Sequence, residues 1–181
     1  MRICLIFNEV AGRRRATRRL RGFLARHRRQ VELWPTQYAG HAMELAREAS
    51  DAGFQIVAAA GGDGTAHEVA NGILGSKAAP LLAIVPTGSA NDYARSVERQ
   101  FGVQSLTSPT GNWVDVGRVT HGEAEEGRYF IEAAGVGLSG AVTQTARGIP
   151  FLQGIPPVWS GGLARPSYHG RGGVLAIAVW T

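Results

Sequence analysis

Gly61-Gly62-Asp63-Gly64-Thr65 stands between the apolar run Ile56-Val57-Ala58-Ala59-Ala60 and a stretch over 66–74 that reads as a helix. A buried strand therefore hands over to a helix across a glycine-rich turn. Glycine lets a ligand approach the backbone closely. The helix N-terminus beyond it offers unpaired N–H groups and partial positive charge, which suit a phosphate. Asp63 adds a carboxylate that can orient a hydroxyl or hold a magnesium–phosphate unit. A plainer reading stands beside this one. Asp-Gly is a common turn pair, and Thr65 with Glu68 has the form of a capping box, Thr65 at N-cap and Glu68 at N3. The stretch is not a P-loop, because no Gly-Lys-Ser/Thr follows, and it is not G-x-G-x-x-G.

A second stretch of the same kind decides between them. The apolar run 81–85 leads into Pro86-Thr87-Gly88-Ser89-Ala90-Asn91-Asp92-Tyr93-Ala94-Arg95. Again a strand runs into a glycine turn and a helix start, with Ser89 and Asp92 spaced as a cap. Capping alone does not explain two strand–Gly–hydroxyl–acid stations in one α/β chain. In a parallel sheet both lie at the carboxyl ends of strands, where ligands bind.

With His67-Glu68-Val69-Ala70-Asn71-Gly72 after the first station, the pair resembles the catalytic domain of diacylglycerol kinases and related lipid kinases. The resemblance covers roughly residues 1–146. It implies ATP and Mg2+ as cofactors and a lipid hydroxyl as acceptor. It implies that Gly61, Gly62, Asp63 and Gly64 cradle the phosphates, with Asp63 the catalytic carboxylate. Thr65 and Ser89 would donate hydroxyl hydrogen bonds, and Gly88, Asn91 and Asp92 would order the phosphate region. Asn8 and Thr36 would contact nucleotide, and Asp115 would lie near the metal. Glu68 belongs to the same loop, as its brace through the cap. The chain departs from the family pattern at His67, where Asn is usual, at Ser89, where Thr is usual, and at Glu9, where Pro is usual.

The rest of the chain fits a parallel α/β protein. Ile3-Cys4-Leu5-Ile6-Phe7 reads as a buried first strand, and Val31-Glu32-Leu33-Trp34-Pro35-Thr36 as a second. A turn ending at Gly40 then leads into a helix over 41–52, with His41 as a cap-region or surface residue. Strands are expected over 114–119 and 129–134, joined as a hairpin with His121-Gly122 as its turn. Gly135-Val136-Gly137 reads as a turn before a helix over 138–146. The expected fold is α/β, a three-layer parallel-sheet domain over 1–135, with 114–135 as the crossover to a second unit. Residues 136–181 read as an incomplete β-rich domain or an irregular tail.

Residues 14–29 read as a helix whose stripe is Ala16, Leu20, Phe23, Leu24 and His27. Its other face carries Arg13, Arg14, Arg15, Arg18, Arg19, Arg21, Arg26, Arg28 and Arg29. Residues 1–30 hold a net +9 and the remainder −4. Such a face is either simply solvated or attracted to anionic lipid headgroups. No aromatic platform or motif accompanies it, so nucleic acid is not the expected partner. No run of 18 apolar residues occurs, and the N-terminus does not read as a signal peptide. The single cysteine, Cys4, reads as a core thiol in a reducing compartment. A cytoplasmic protein, peripheral at the inner membrane face, is the expectation.

From 147 onward the pattern changes. Residues 147–181 hold eleven Gly and Pro and no Asp or Glu, and only 174–180 reads as a strand. The resemblance implies a second domain here with an Asp-Gly-Glu segment holding the catalytic base. Asp-Gly occurs only at Asp63-Gly64, and Asp-Gly-Glu nowhere. Truncation, a frame change near 147, or a nucleotide-binding remnant without transferase activity would each account for it. NAD kinase, which also uses a Gly-Gly-Asp-Gly loop, is the other alternative, although its Asn-x-Gly-x-Leu-Gly-Phe-Leu segment is missing. Phosphofructokinase shares a related loop, but the Ser-Ala-Asn-Asp station argues against it.

Overall fold

The structure is a computed structural model and describes residues 1–8, 24–25, 31–101, 111–120, 127–132 and, for the backbone, 173–179. The arginine-rich helix, apart from Leu24 and Ala25 (both helical), lies outside these residues. So do the turns at 121–122 and 135–137, the helix over 138–146, and 147–172.

In chain order the elements are β1 (Ile3–Phe7), β2 (Val31–Pro35), α1 (His41–Asp51), β3 (Ile56–Gly61), α2 (Asp63–Leu74), β4 (Leu81–Pro86), α3 (Asp92–Phe101), β5 (Asn112–Val119), β6 (Arg128–Phe130) and β7 (Gly173–Val179). The sheet order is β2-β1-β3-β4-β7-β5-β6. The first four strands are parallel, with Leu5 opposite Leu33 on one side and Ala58 on the other, and Ala58 in turn opposite Ala83. The expected parallel α/β fold is therefore observed. The strand expected over 174–180 runs from Gly173 to Val179. It is paired into this same sheet, parallel to β4 (Ala83 opposite Ala178) and antiparallel to β5 (Val114 opposite Leu175). The expected hairpin is β5–β6, Arg118 opposite Tyr129; its second strand ends at Phe130 rather than at 134.

The continuous apolar runs of β1 and β3 follow from burial on both faces. Every residue of β3 is buried, and so are the first four of β1. One face, with Cys4, Ile6, Val57, Ala59, Leu82 and Ile84, packs against α1, α2 and α3. On the other, Ile3, Leu5, Ile56, Ala58, Ala83 and Val85 form a second buried cluster. Cys4 is wholly enclosed, which pushes its thiol up to about 12 and makes it an inert core residue.

Helices α1 and α2 cross closely because both present small residues. Ala42, Ala46 and Ala49, spaced i, i+4, i+7, are the buried stripe of α1. On α2 the facing residue is Gly72, where a Cβ would run into the Met43 carbonyl and the Ala46 side chain. This contact sets the first half of α1 against the last turn of α2.

Candidate nucleotide site

Parallel strands place the ends of β1, β2, β3 and β4 on one edge. The chain goes from β1 out to β2 and returns to β3 on the other side of β1, so this edge is a topological switch point, where α/β sheets open a crevice. A cleft of about 440 Å³ lies there. Of the residues expected to contact nucleotide or phosphate, Asn8, Thr36, Gly62, Gly64, Thr65 and Glu68 line it. Its mouth is fixed by backbone bonds: Thr36 N–H donates to Phe7 O at 2.9 Å and Asn8 N–H to Ala60 O at 3.3 Å.

The two glycine stations touch each other. Thr87 N–H and Gly88 N–H both donate to Gly61 O, at 2.9 and 3.0 Å. Gly62 and Gly88 meet backbone to backbone, so a Cβ at Gly88 would fall on Gly62 Cα. Asn91 takes a left-handed φ of 54° and folds its amide back, donating to Gly88 O at 2.8 Å and accepting from Gly88 N–H at 3.0 Å. Asp63 Oδ1 accepts from Tyr93 N–H at 3.1 Å, so the acid of the first station caps the helix of the second.

Both expected capping boxes are overturned. Helix α2 begins at Asp63, not at 66, with Gly62 in an extended conformation as its N-cap and no side-chain cap bond. Thr65 lies inside the first turn, buried, its hydroxyl against Gly61. Glu68 does not return to it. Its Oε1 accepts from Gly40 N–H at 3.1 Å, bracing the loop after β2 instead. At the second station α3 begins at Asp92. Ser89 is exposed, and Asp92 is exposed and 3.6 Å from Arg95. In both, the glycine turn lets the chain enter the helix two or three residues from where side-chain capping would start it; Glu68 is then used across elements, whereas Asp92 pairs within its own helix.

Gly88, Ser89, Asn91 and Asp92 adjoin the cleft through the Gly62–Gly88 contact and do not line it, and exposed Asp115 on β5 does not line it either. Four lining residues had no signal strong enough to single them out: Gln37, Tyr38, Ala39 and Ala42. Glu132 was also missed. Its carboxyl is held above the usual range by partial burial, then by the charges of Asp63 and Asp92, so it faces both acids of the two stations. A carboxyl whose pKa is raised by folding adds stability below its free value, and that stability is lost as pH rises through the raised value. Glu132→Gln is therefore expected to remove part of the fall of Tm as pH rises above the ordinary carboxylate range, with a higher Tm at neutral pH. An unchanged pH profile would show that Glu132 does not feel the two aspartates.

Among the described residues, no three of His, Cys, Asp and Glu are set to ligate one ion. Magnesium takes one or two carboxylates and completes its shell with phosphate oxygens and water. The all-oxygen acids Asp63, Asp92 and Glu132 fit that donor chemistry.

A parallel sheet with two touching glycine turns at its strand ends, beside one cleft, defines an α/β domain that opens a crevice at its switch point. The chain belongs to the diacylglycerol kinase catalytic domain family, whose model matches residues 2–119. It is 30% identical over 154 residues to a diacylglycerol kinase of Bacillus subtilis, covering 81% of this chain and 48% of that protein. It is 38% identical over 116 residues to a YegS-like lipid kinase of Chromohalobacter salexigens, covering 61% of this chain and 35% of that one. A crystal structure from Bacillus anthracis, assigned to the diacylglycerol kinases, superposes with a TM-score of 0.52 at 28% identity, over 64% of this chain and 44% of the other. The chain thus spans about half or less of the length of these relatives. Among the described residues no helix is long and apolar enough to cross a membrane.

Proposed function

We propose that this chain is the ATP-binding part of a lipid kinase that transfers the γ-phosphate of ATP to a hydroxyl of diacylglycerol or a related lipid. The observation that carries the reading is the backbone contact between Gly62 and Gly88, which joins two glycine turns and leaves no room for a side chain at residue 88. Backbone N–H groups at the start of α2 would bind phosphate oxygens. One or two of the carboxylates Asp63, Asp92 and Glu132 would hold magnesium, with Asp115 as a further candidate. Magnesium, when bound, neutralises charge on the phosphate oxygens. Asn8 and Thr36 would contact the sugar or base end. The arginines between Arg13 and Arg29 support peripheral contact with an anionic, inner-face membrane surface, where a lipid acceptor resides.

A second reading, nucleotide binding without phosphoryl transfer, is favoured by one observation. The carboxylate lining the cleft near Gly64, Glu68, is already engaged by Gly40 N–H. Calorimetric titration with Mg·ATP, together with transfer of labelled phosphate to diacylglycerol vesicles, separates the two. We expect ATP to bind, and Asp63→Asn to weaken it by about tenfold while keeping the fold, because the amide oxygen still accepts from Tyr93. Binding without lipid phosphorylation would establish the second reading. Phosphorylation of NAD in place of lipid would identify a NAD kinase. No ATP binding at all would remove the proposal.

A further inference from the structure

The loop after β2 is held more tightly than a simple connection needs. Gly40, at φ 93°, closes it, and Glu68 Oε1 accepts its N–H. Gln37 N–H donates to His41 Nδ1 at 3.1 Å, which turns the imidazole back over the loop. The His41 ring then stacks on the Tyr38 ring, with centroids 4.4 Å apart and planes 14° from parallel. The Tyr38 hydroxyl donates to Glu44 Oε2 at 2.6 Å. One end and one face of Tyr38 are thus fixed by partners on its own loop and helix. Even so, the residue is 54% exposed and lines the cleft. It is the one aromatic ring among the described lining residues, the rest being small or polar.

A ring held in place with an open area in a cleft is a ready surface for a flat partner to stack on. We propose that the Tyr38 ring is the platform on which the base of the bound nucleotide stacks. The inference rests on the nucleotide reading of the cleft and names the group that recognises the base. Spacing supports it. β2 and β3 flank β1, so the Tyr38 loop and the glycine turn are two strand spacings apart, about 10 Å. That separation leaves room for a ribose between phosphates at Gly62–Thr65 and a base at Tyr38. The His41 ring behind Tyr38 makes a stack of His, Tyr and base, and the Glu44 bond holds the phenol in place. Because every base has a π-face, the platform selects for a nucleotide over a bare polyphosphate rather than for one base over another.

The test compares ATP with inorganic tripolyphosphate, both with magnesium, by calorimetry on this chain and two variants. Tyr38→Leu removes the ring, and Tyr38→Phe keeps it. Expected are a loss of about tenfold or more in ATP affinity for Tyr38→Leu, an unchanged tripolyphosphate affinity, and recovery to within about threefold of the parent chain for Tyr38→Phe. ATP affinity indifferent to residue 38 would overturn the platform and leave the nucleotide reading standing. Equal losses for ATP and tripolyphosphate would also overturn it, assigning Tyr38 a role in loop shape only. Failure of the parent chain to bind ATP would sink both.

Discussion

Gly88→Ala is expected to abolish measurable ATP binding and to cost about 1–3 kcal/mol of stability. The added Cβ would fall on Gly62 Cα and 2.9 Å from Gly62 N and Asn91 Oδ1. Its neighbours are backbone and a side chain already bound at both ends to residue 88, so none of them yields cheaply. Relief requires the two turns to separate, which breaks the Thr87 and Gly88 bonds to Gly61 O and draws Tyr93 away from Asp63. The phosphate surface and the cap of α3 are lost together. Gly64→Ala is the matched comparison for stability alone, because a Cβ there meets nothing within 4 Å but enters the cleft that Gly64 lines. Thermal unfolding and ATP titration of both variants check the prediction. If Gly88→Ala melts with the parent chain and binds ATP, the close contact of the two turns is not what builds the site.

Asn71→Asp is expected to destabilise the chain by about 2–4 kcal/mol, although it changes only one side-chain nitrogen to oxygen. Asn71 is 6% exposed, on the face of α2 turned toward β6. Its amide donates to Tyr129 O and to His67 O, both at 2.9 Å, and its oxygen accepts from Tyr129 N–H at 2.9 Å. The side chain therefore does what an adjoining strand would do for Tyr129. A carboxylate keeps the accepted bond but cannot donate. The Tyr129 carbonyl loses its donor, the His67 carbonyl keeps only its helical bond from the Asn71 N–H, and both face a buried charge. Asn71→Ala removes all three bonds without adding charge, and should fall between the parent and Asn71→Asp. Urea unfolding measures both. A cost below about 0.5 kcal/mol for Asn71→Asp would mean that water replaces the bonds to Tyr129. The effect reaches the site, since Glu132 follows Tyr129 by three residues and faces Asp63 and Asp92.

The strands were legible because they are buried on both faces. The runs 3–7, 56–60 and 81–85 lack the alternation of a half-exposed strand and read directly as central parallel strands. The glycine stations were legible because a strand-to-helix turn that bare needs a reason. The helix starts were misread by up to three residues: Thr65 and Glu68 satisfy the local pattern of a capping box, while their actual partners are Gly61 and Gly40. Tyr38 left no mark in the sequence, because one aromatic residue in a five-residue loop has no period to betray it.

From the sequence alone came the class of fold, the edge where the cleft opens, and six of the residues that line it. These are local facts, set by burial periodicity and by the backbone freedom of glycine. The tertiary structure alone decided how those pieces are used. Asp63 caps a helix through Tyr93, 30 residues away, Glu68 braces a loop 28 residues away, and Asn71 pairs with a strand 58 residues away. β7 enters the sheet beside β4 from the far end of the chain. A hydrogen bond between distant segments depends on where the whole sheet places them, and no residue pattern within either segment encodes its partner.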